Sequence, residues 1–478
     1  MAAEVHAWLR RHWLPLTLAA LYAVLFSILS ILRHLTFHTQ TFDLGVFEQA
    51  FWYTLRGRFM YNNFEGINHF AAHFSPIYLL LLPFYSLMPG PAILLILQAA
   101  ALGSSVIPLY WLTQRRCGQA AAIFVSISFL LFPSLHWLNL YDFHQVAFAV
   151  PAFLWALERL DRGRRVAAAA CLALAAATVE GMILMTAALG VYLAIFVKPS
   201  RRFGLAVAAA ALTYFWLVGG VFMPSLGGDV NRFLKERFPP ELGGSLPGFA
   251  RTIVQRPQLV LATVSQPEKL LYLGKLFSPL AGLPLVAWPQ LTLLLPGLAQ
   301  NLLANYPPQF SGQFQYDAML IPFIFFAAIA AWARVRRWPN ARIFPSVVLG
   351  ASLAAFLWWS PLGLRAYPWA QFRFDDRAAA LARIRDAIPP DAAVALPTSL
   401  VPHLTHREGV WLVHAEPLGV PDLIVVDLWE PAEFSSPEAL GEYLKYYLNQ
   451  AGYRSRVWRQ RMLVLSRPGY PAPLWAEP

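Results

Sequence analysis

The sequence predicts an α-helical polytopic membrane protein of about eleven transmembrane helices, followed by a small C-terminal α/β soluble domain. Three observations predict it. Of the 478 residues, 58% are hydrophobic and 13% charged, against about 25% charged in an average soluble domain. Uncharged runs long enough to cross a bilayer recur as far as residue 360, at about 20 residues per crossing. Beyond residue 362 those runs stop, and charged sequence with short strand-like segments replaces them. The net charge of +11 then reads as positive-inside loops and contact with anionic lipid, not as nucleic-acid binding. Cys117 and Cys171 lie in or beside apolar spans, which argues against a disulfide framework.

Residues 14–32 are nineteen without a charge, and no small-residue cleavage site follows. They are expected to stay as a first helix and not to be removed as a signal peptide. Arg10 and Arg11 precede this helix, which puts the N-terminus in the cytoplasm and the loop 36–76 outside. Residues 75–88, with Pro76 and Pro83, are too short to cross upright and read as an interfacial helix. Helix two spans 91–113 and stops at Arg115 and Arg116. Helix three spans about 119–135, and the short outer loop HWLNLYDFH, 136–144, follows. Helix four returns to a basic turn with Arg159, Arg162, Arg164 and Arg165. Helix five, 166–179, brings Glu180 to the outer face, and helix six returns to Lys198, Arg201 and Arg202. Helix seven, 203–223, exits to an outer segment at about 225–275. Three basic turns in succession fall on the cytoplasmic side, as the positive-inside rule requires.

The 41 residues 276–316 carry no charge and exceed one crossing. Pro284, Pro289 and Pro296 break them, so a hairpin of helices eight and nine is expected. Helix ten, 317–333, ends at Arg334, Arg336 and Arg337, and helix eleven, 343–360, exits. The transmembrane domain is thus 1–362, and 363–478 forms an extracytoplasmic domain. There a helix is expected at 378–387, with strands at 394–396, 410–413 and 423–427. A second helix follows at 437–450, and a closing hairpin, 453–458 and 461–466, turns around Arg459 and Gln460.

The polar stretch 36–76 is the first place to look for chemistry. Asp43 precedes LGVFEQAFWYTL, where Leu44, Phe47, Phe51 and Leu55 recur at helical spacing. The pattern reads as an amphipathic helix on the membrane surface, with Asp43 at its N-cap. Asp43 then either caps the helix, or serves as a general base on an acceptor hydroxyl, or both. Arg56 and Arg58 follow and suit a lipid phosphate or generic headgroup contact. His69 and His73, four apart, fit two donors on a phosphate or substrate, or ligands of a divalent metal. No HExxH or CxxC pattern accompanies them, so no cofactor is certain. Asp142 and His144 sit in the outer loop, either at the mouth of a cavity or in a solvated turn. Glu180 lies between two apolar spans, where an acid is costly and marks a functional position or an interfacial turn. Gln313, Tyr316 and Asp317 open helix ten on the outer side and are placed to line the cavity there, with Gln313 and Tyr316 as candidates to bind the donor phosphate or substrate. His403 and His406 form a further pair, read as surface residues or acceptor contacts. No convincing Walker A, GxSxG, dinucleotide or EF-hand pattern occurs.

The segments FDLGVFEQAFW, NHFAAHFSPIYLLLLP, YDFHQVAFAVP and QYDAMLIPFIFFAAI, in this order, resemble successive motifs of an uncharacterised family of polytopic membrane proteins. IPPDAAVALPTSLVPHLTHR and DLIVVDL resemble that family's soluble tail. The family is grouped with GT-C-type glycosyltransferases, which take sugar from a polyprenyl-phosphate carrier on the outer face of the membrane. The resemblance implies a GT-C-like fold whose first outer loop has interfacial helices and an acidic residue, here Asp43. It carries over Asp142, His144 and Glu180. Two motifs depart from the family's pattern: Val179 and Gly181 flank Glu180 where a Lys-Glu-Asp-like motif is expected, and Gln145 replaces a proline. The implied function is an inverting glycosyltransferase of the plasma membrane and cell envelope. Its donor would be a polyprenyl-phosphate sugar and its acceptor an unidentified glycan, lipid or protein. The other reading is a transporter or lipid-binding membrane protein without chemistry. That would place polar groups along the spans, whereas here they gather at the outer mouth.

Overall fold

The computed structural model describes residues 2–229, 231–242, 244–338, 341–365, 369–413, 419–430, 434–458 and 461–470. The turn expected at Arg459 and Gln460 lies outside the described residues. The chain divides into two compact units. One comprises Met1–Ile28, Phe70–Leu81 and Ile96–Pro368; the other comprises Leu29–His69, Leu82–Leu95 and Trp369–Pro478.

The first unit is helical. Among the described residues four helices of the chain are long and apolar enough to cross a membrane: His12–Leu35, Pro91–Cys117, Lys198–Ser225 and Ala341–Trp359. Gln119–Leu130 and Pro133–Leu140, bent by 45°, make a fifth if they count as one span. Large apolar side chains stand exposed along these helices, among them Leu21, Val24, Leu212, Trp216, Val347 and Leu353. Water would penalise such surfaces and lipid accommodates them. Ile321–Val335 is different. Every residue from Ile321 to Trp332 is buried, so its apolar sequence meets protein on all sides.

Small residues set the closest helix contacts. A Cβ at Gly190 would stand 2.5 Å from the backbone nitrogen of Ala208 and 2.8 Å from the carbonyl oxygen of Gly204. The helices Glu180–Phe196 and Arg201–Leu217 therefore touch backbone to backbone, the packing that small residues permit where hydrophobic burial gives no drive. At another end of this unit, buried Glu158 takes Arg115 at 2.8 Å and Arg162 at 2.5 Å, while Arg115 and Arg116 both reach Asp161. The basic ends of Val106–Cys117 and Ala149–Asp161 thus meet, as two turns on one membrane side would.

Proline reshapes three expected elements. Helix three does not run unbroken to 135. Pro133 lacks an N–H and forces Phe132 to an extended ψ of 119°, so the helix stops at Leu130 and restarts as Pro133–Leu140. Most of the expected outer loop 136–144 is consequently helix. The uncharged run 276–316 forms no hairpin of two full spans. Pro279, Pro284, Pro289 and Pro296 each sit at the start of a new short piece: Ser278–Leu280, Leu283–Val286, Trp288–Leu291 and Leu295–Leu303. At a helix start the missing donor costs nothing.

The second unit holds a five-stranded sheet: β1 (Val394–Leu396), β2 (Val410–Leu412), β3 (Leu423–Asp427), β4 (Arg454–Trp458) and β5 (Met462–Ser466). The order is β2-β1-β3-β5-β4, with β1 parallel to β2 and β3, and β5 antiparallel to β3 and β4. Every residue of β3 is buried, as in a strand covered on both faces. Leu423 and Val425 pack with Leu381, Ile384 and Phe37. Ile424 and Val426 pack on the other face with Tyr447 and Tyr453. These positions match the strands and helices expected from the sequence to within one or two residues.

The contact at Gly190 makes a prediction. Gly190→Ala must push two backbones apart, and lowers stability in detergent by about 1–3 kcal/mol. Gly274→Ala, where an added Cβ meets nothing within 4 Å, leaves the melting temperature unchanged or raises it. Equal melting behaviour of the two variants would contradict the close packing.

Candidate functional site

In the second unit, Thr41–Gly45 forms a single π turn that leads into the helix Val46–Thr54. This corrects the expected N-cap. Gln40, with extended backbone, precedes the turn, and Asp43 lies half-buried inside it. Its carboxylate stands near the positive end of the following helix, where negative charge is favoured. The turn is pinned from both sides of Thr41: its N–H donates to Thr398 Oγ1 at 3.1 Å, and its hydroxyl donates to the Thr398 carbonyl at 3.0 Å. A Cβ on Gly45 would stand 3.2 Å from Val401 Cγ1, so glycine allows this approach.

The helix Val46–Thr54 does not lie flat with one wet face. It is buried at every residue from Val46 to Tyr53. The reason is that its two polar residues have protein partners. Glu48 accepts the Tyr85 hydroxyl at 2.5 Å, lies 2.5 Å from His406 Nε2, and accepts the Thr405 hydroxyl. Burial and the Glu48 carboxylate push the Tyr85 hydroxyl well above its ordinary range, so it stays a donor. Gln49 Oε1 accepts the Asn63 amide at 2.8 Å, and its Nε2 donates to the carbonyl of Arg407 at 3.3 Å. The motifs FDLGVFEQ and LTHR are thus two halves of one contact. Arg377 adds a second tie: it pairs with Asp427 at 2.8 Å and donates to the Phe37 carbonyl at 3.4 Å.

Arg56 and Arg58 are exposed beyond the helix. Arg56 lies 4.1 Å over Trp52, and Arg58 lies 4.1 Å over Tyr61 and 4.6 Å over Tyr53. Both guanidinium groups thus lie within cation–π range of aromatic faces. His69 is buried and lies 2.8 Å from Glu65. Its contact with Glu65 braces the loop. The expected surface pair also separates. His403 is buried and stacks on His34 at 3.9 Å, while His406 joins Glu48. Burial, then His34 and the Arg385 guanidinium, push the His403 pKa well below its ordinary value.

In the first unit, Asp142 and His144 are buried, so the solvated-turn reading is set aside. Asp142 has φ +53°, a conformation rarely held by non-glycine residues and concentrated at functional sites. Gln98 clamps the turn. Its Nε2 donates to the Asp142 carbonyl at 2.6 Å and its Oε1 accepts the His144 amide at 2.7 Å. Tyr141 packs between His144 and Phe314, at 5.5 and 4.5 Å between ring centres.

Glu180 opens the helix Glu180–Phe196, and His73 Nδ1 lies 3.0 Å from its Oε1. The other oxygen, Oε2, is buried without a hydrogen bond. His73 also stacks on Phe233 at 4.8 Å. His73 and Glu180, expected in separate roles, form a dyad in the structure. A Cβ at Gly181 would stand 3.5 Å from Gln300 and 3.7 Å from Met319, which brings the dyad up to the turn Gln315–Met319. In that turn Tyr316 accepts Arg237 at 3.0 Å. Asp317 is buried and accepts the Tyr272 hydroxyl at 2.6 Å. Gln313 is exposed just before the turn.

Tyr272, Lys275 and Arg237 were not singled out from the sequence. Lys275 carried one signal, as the last charge before 41 uncharged residues. Glu48 carried another, an acid inside an apolar helix, which needs a buried partner. Among the described residues no group of three or more His, Cys, Asp or Glu is arranged to hold a metal ion. His69 and His73 each face a different carboxylate, Glu65 and Glu180.

Lipid-facing helices joined to a small α/β unit define a helical membrane protein. The chain belongs to the family described as Predicted membrane protein (DUF2079), whose profile matches residues 33–463. No curated protein matches it by sequence. Its fold is similar to that of ArnT from Cupriavidus metallidurans. The apo structure has a TM-score of 0.53 at 13% identity, covering 94% of this chain and 98% of that one. The structure bound to undecaprenyl phosphate has a TM-score of 0.54 at 12% identity, covering 96% and 99%. The archaeal oligosaccharyltransferase AglB from Archaeoglobus fulgidus overlaps with a TM-score of 0.40 at 15% identity, covering 98% and 75%, too little to carry an argument. The ArnT overlap agrees with the GT-C-like architecture that the motifs imply.

The Glu48 contact is testable by itself. Glu48→Ala leaves the Thr405, His406 and Tyr85 groups without their acceptor, and costs about 3 kcal/mol. Glu48→Gln keeps an acceptor and costs less. Thermal unfolding together with limited proteolysis of residues 369–470 reads this out. An unchanged melting temperature in Glu48→Ala would contradict the assignment.

Proposed function

We propose that this chain is a GT-C-like membrane glycosyltransferase. It takes a sugar from a polyprenyl-phosphate donor and passes it to an acceptor on the outer face of the plasma membrane. The supporting observation is the fold: it overlaps ArnT over nearly the full length of both chains, and that protein is known with undecaprenyl phosphate bound. The topology that goes with this reading has a cytoplasmic N-terminus and an extracytoplasmic C-terminal domain. The described helices bear on membrane residence alone.

The proposed reaction inverts the sugar. The acceptor hydroxyl forms a new bond to the anomeric carbon and gives its proton to the Asp43 carboxylate. The bond from that carbon to the phosphate oxygen breaks, and its electron pair leaves with the polyprenyl phosphate. Arg56 and Arg58, held on aromatic faces, would take up the charge growing on the phosphate, the kind of stabilisation that often dominates catalysis. The dyad of Glu180 and His73, with buried Asp142 and His144, would bind and orient the sugar or acceptor hydroxyls.

Reconstitution in proteoliposomes with labelled polyprenyl-phosphate sugars tests the proposal. Asp43→Asn is expected to lower transfer by about 10²–10⁴-fold, the range for loss of a general base, with stability unchanged. Transfer at the wild-type rate would remove Asp43 from this role. Solute accumulation in vesicles without covalent transfer would favour a transporter instead.

A further inference from the structure

A cavity of about 280 Å³ opens in the first unit, between the helix restart at Pro133, the outer segment, the loop before Gln315 and the end of the helix Phe344–Trp359. Its wall includes Ser134, Trp137, Lys275, Gln313, Trp358 and Trp359. Trp137 is fixed, because its Nε1 donates to the Trp359 carbonyl at 2.8 Å. Lys275 Nζ donates to the Ser311 carbonyl at 2.8 Å, and an ammonium has two further protons to give. Gly312, in the left-handed region at φ +74°, lies in the same wall: a Cβ there would stand 3.7 Å from Lys275 Cδ and 3.8 Å from Asp317 Oδ2, in ordinary contact. Asp317 Oδ2 is buried and accepts no well-aligned hydrogen bond.

This combination narrows the occupant. Trp359 lines the cavity beside Trp358, whose ring is exposed and carries the Arg365 guanidinium 4.1 Å over one face, while Lys275, Gln313 and Ser134 offer donors and acceptors between them. An acyl chain would leave those polar groups unpaired, at a cost. A phosphate would meet Lys275, but also the Asp317 carboxylate behind the same wall. A neutral polyol ring suits both parts, with its C–H face against indole and its hydroxyls on the polar groups. The volume lies below the roughly 300–1,000 Å³ of sites for drug-sized ligands, which suits one ring.

We propose that this cavity is a monosaccharide subsite, in which one sugar ring stacks on the Trp358–Trp359 side and bonds to Lys275, Gln313 and Ser134. The inference rests on the transferase reading for the lipid carrier of that sugar. The chemistry of the cavity does not depend on that carrier.

The test compares binding of bare polyprenyl phosphate with binding of polyprenyl-phosphate glucose, galactose, mannose and arabinose to the full chain in detergent. Trp358→Ala and Gln313→Leu are the variants; both residues are exposed, so neither change opens the core. At least one sugar-bearing lipid is expected to bind about tenfold or more tightly than the bare lipid, the size of one good hydrogen bond. Both variants should erase that gain and leave bare-lipid binding as it was. Equal affinity for bare and sugar-bearing lipids, or a gain that survives in both variants, would overturn the subsite. If no lipid binds, the transferase reading fails, and the subsite is judged on free methyl glycosides by saturation-transfer NMR. Transfer that disappears in Trp358→Ala upholds the subsite, and its absence from the wild type overturns it.

Discussion

The buried carboxylate of Glu48 is the constraint on which the second unit depends. An ionisable group with no exposure to solvent persists only when its oxygens are satisfied, and here Tyr85, Thr405 and His406 satisfy them. Those partners come from sequence more than 350 residues away for Thr405 and His406. The first loop and the C-terminal sheet are therefore one folded body. Phe37, in the same core as β1 and β3, and the tie from Arg377 to its carbonyl repeat the point. Asp43 lies five residues before Glu48 in the same run of helical turns, so the contact that holds Glu48 also fixes where Asp43 sits.

Much of the fold was legible in the sequence, for physical reasons that particular elements show. The strands of the C-terminal sheet combine β-branched residues with clear turn punctuation, so Val394–Leu396 and Leu423–Asp427 stand where expected. The long apolar helices were equally plain, because nothing but a span or a buried helix explains their composition. What failed was reading proline as a simple breaker. Pro133 bends a helix and restarts it, and the four prolines from 279 to 296 begin pieces instead of separating two spans.

Candidate residues could be picked out of the sequence, but how they pair could not. Helical spacing correctly found the helix after Asp43, but periodicity cannot tell lipid or water from a distant protein partner. The segment 405–407 supplies that partner and buries the polar face as well. His69 and His73 looked like a pair at i, i+4, yet each lies against its own carboxylate, because Glu65 and Glu180 reach them first. Asp142 was open to two readings, the mouth of a cavity or a solvated turn, and it is buried where Gln98 holds its turn. Partners distant in sequence, such as Glu180 for His73, leave no local signal.

The account makes the chain an enzyme that breaks a sugar–phosphate bond in a lipid, and mass spectrometry of that lipid tests this most directly. Proteoliposomes containing the protein, a polyprenyl-phosphate sugar and a membrane extract as acceptor source would be sampled over time. The account predicts that bare polyprenyl phosphate accumulates as the sugar-bearing lipid disappears, at a rate that rises with the amount of protein. A donor lipid that stays intact with every sugar tried, at any amount of protein, would contradict it.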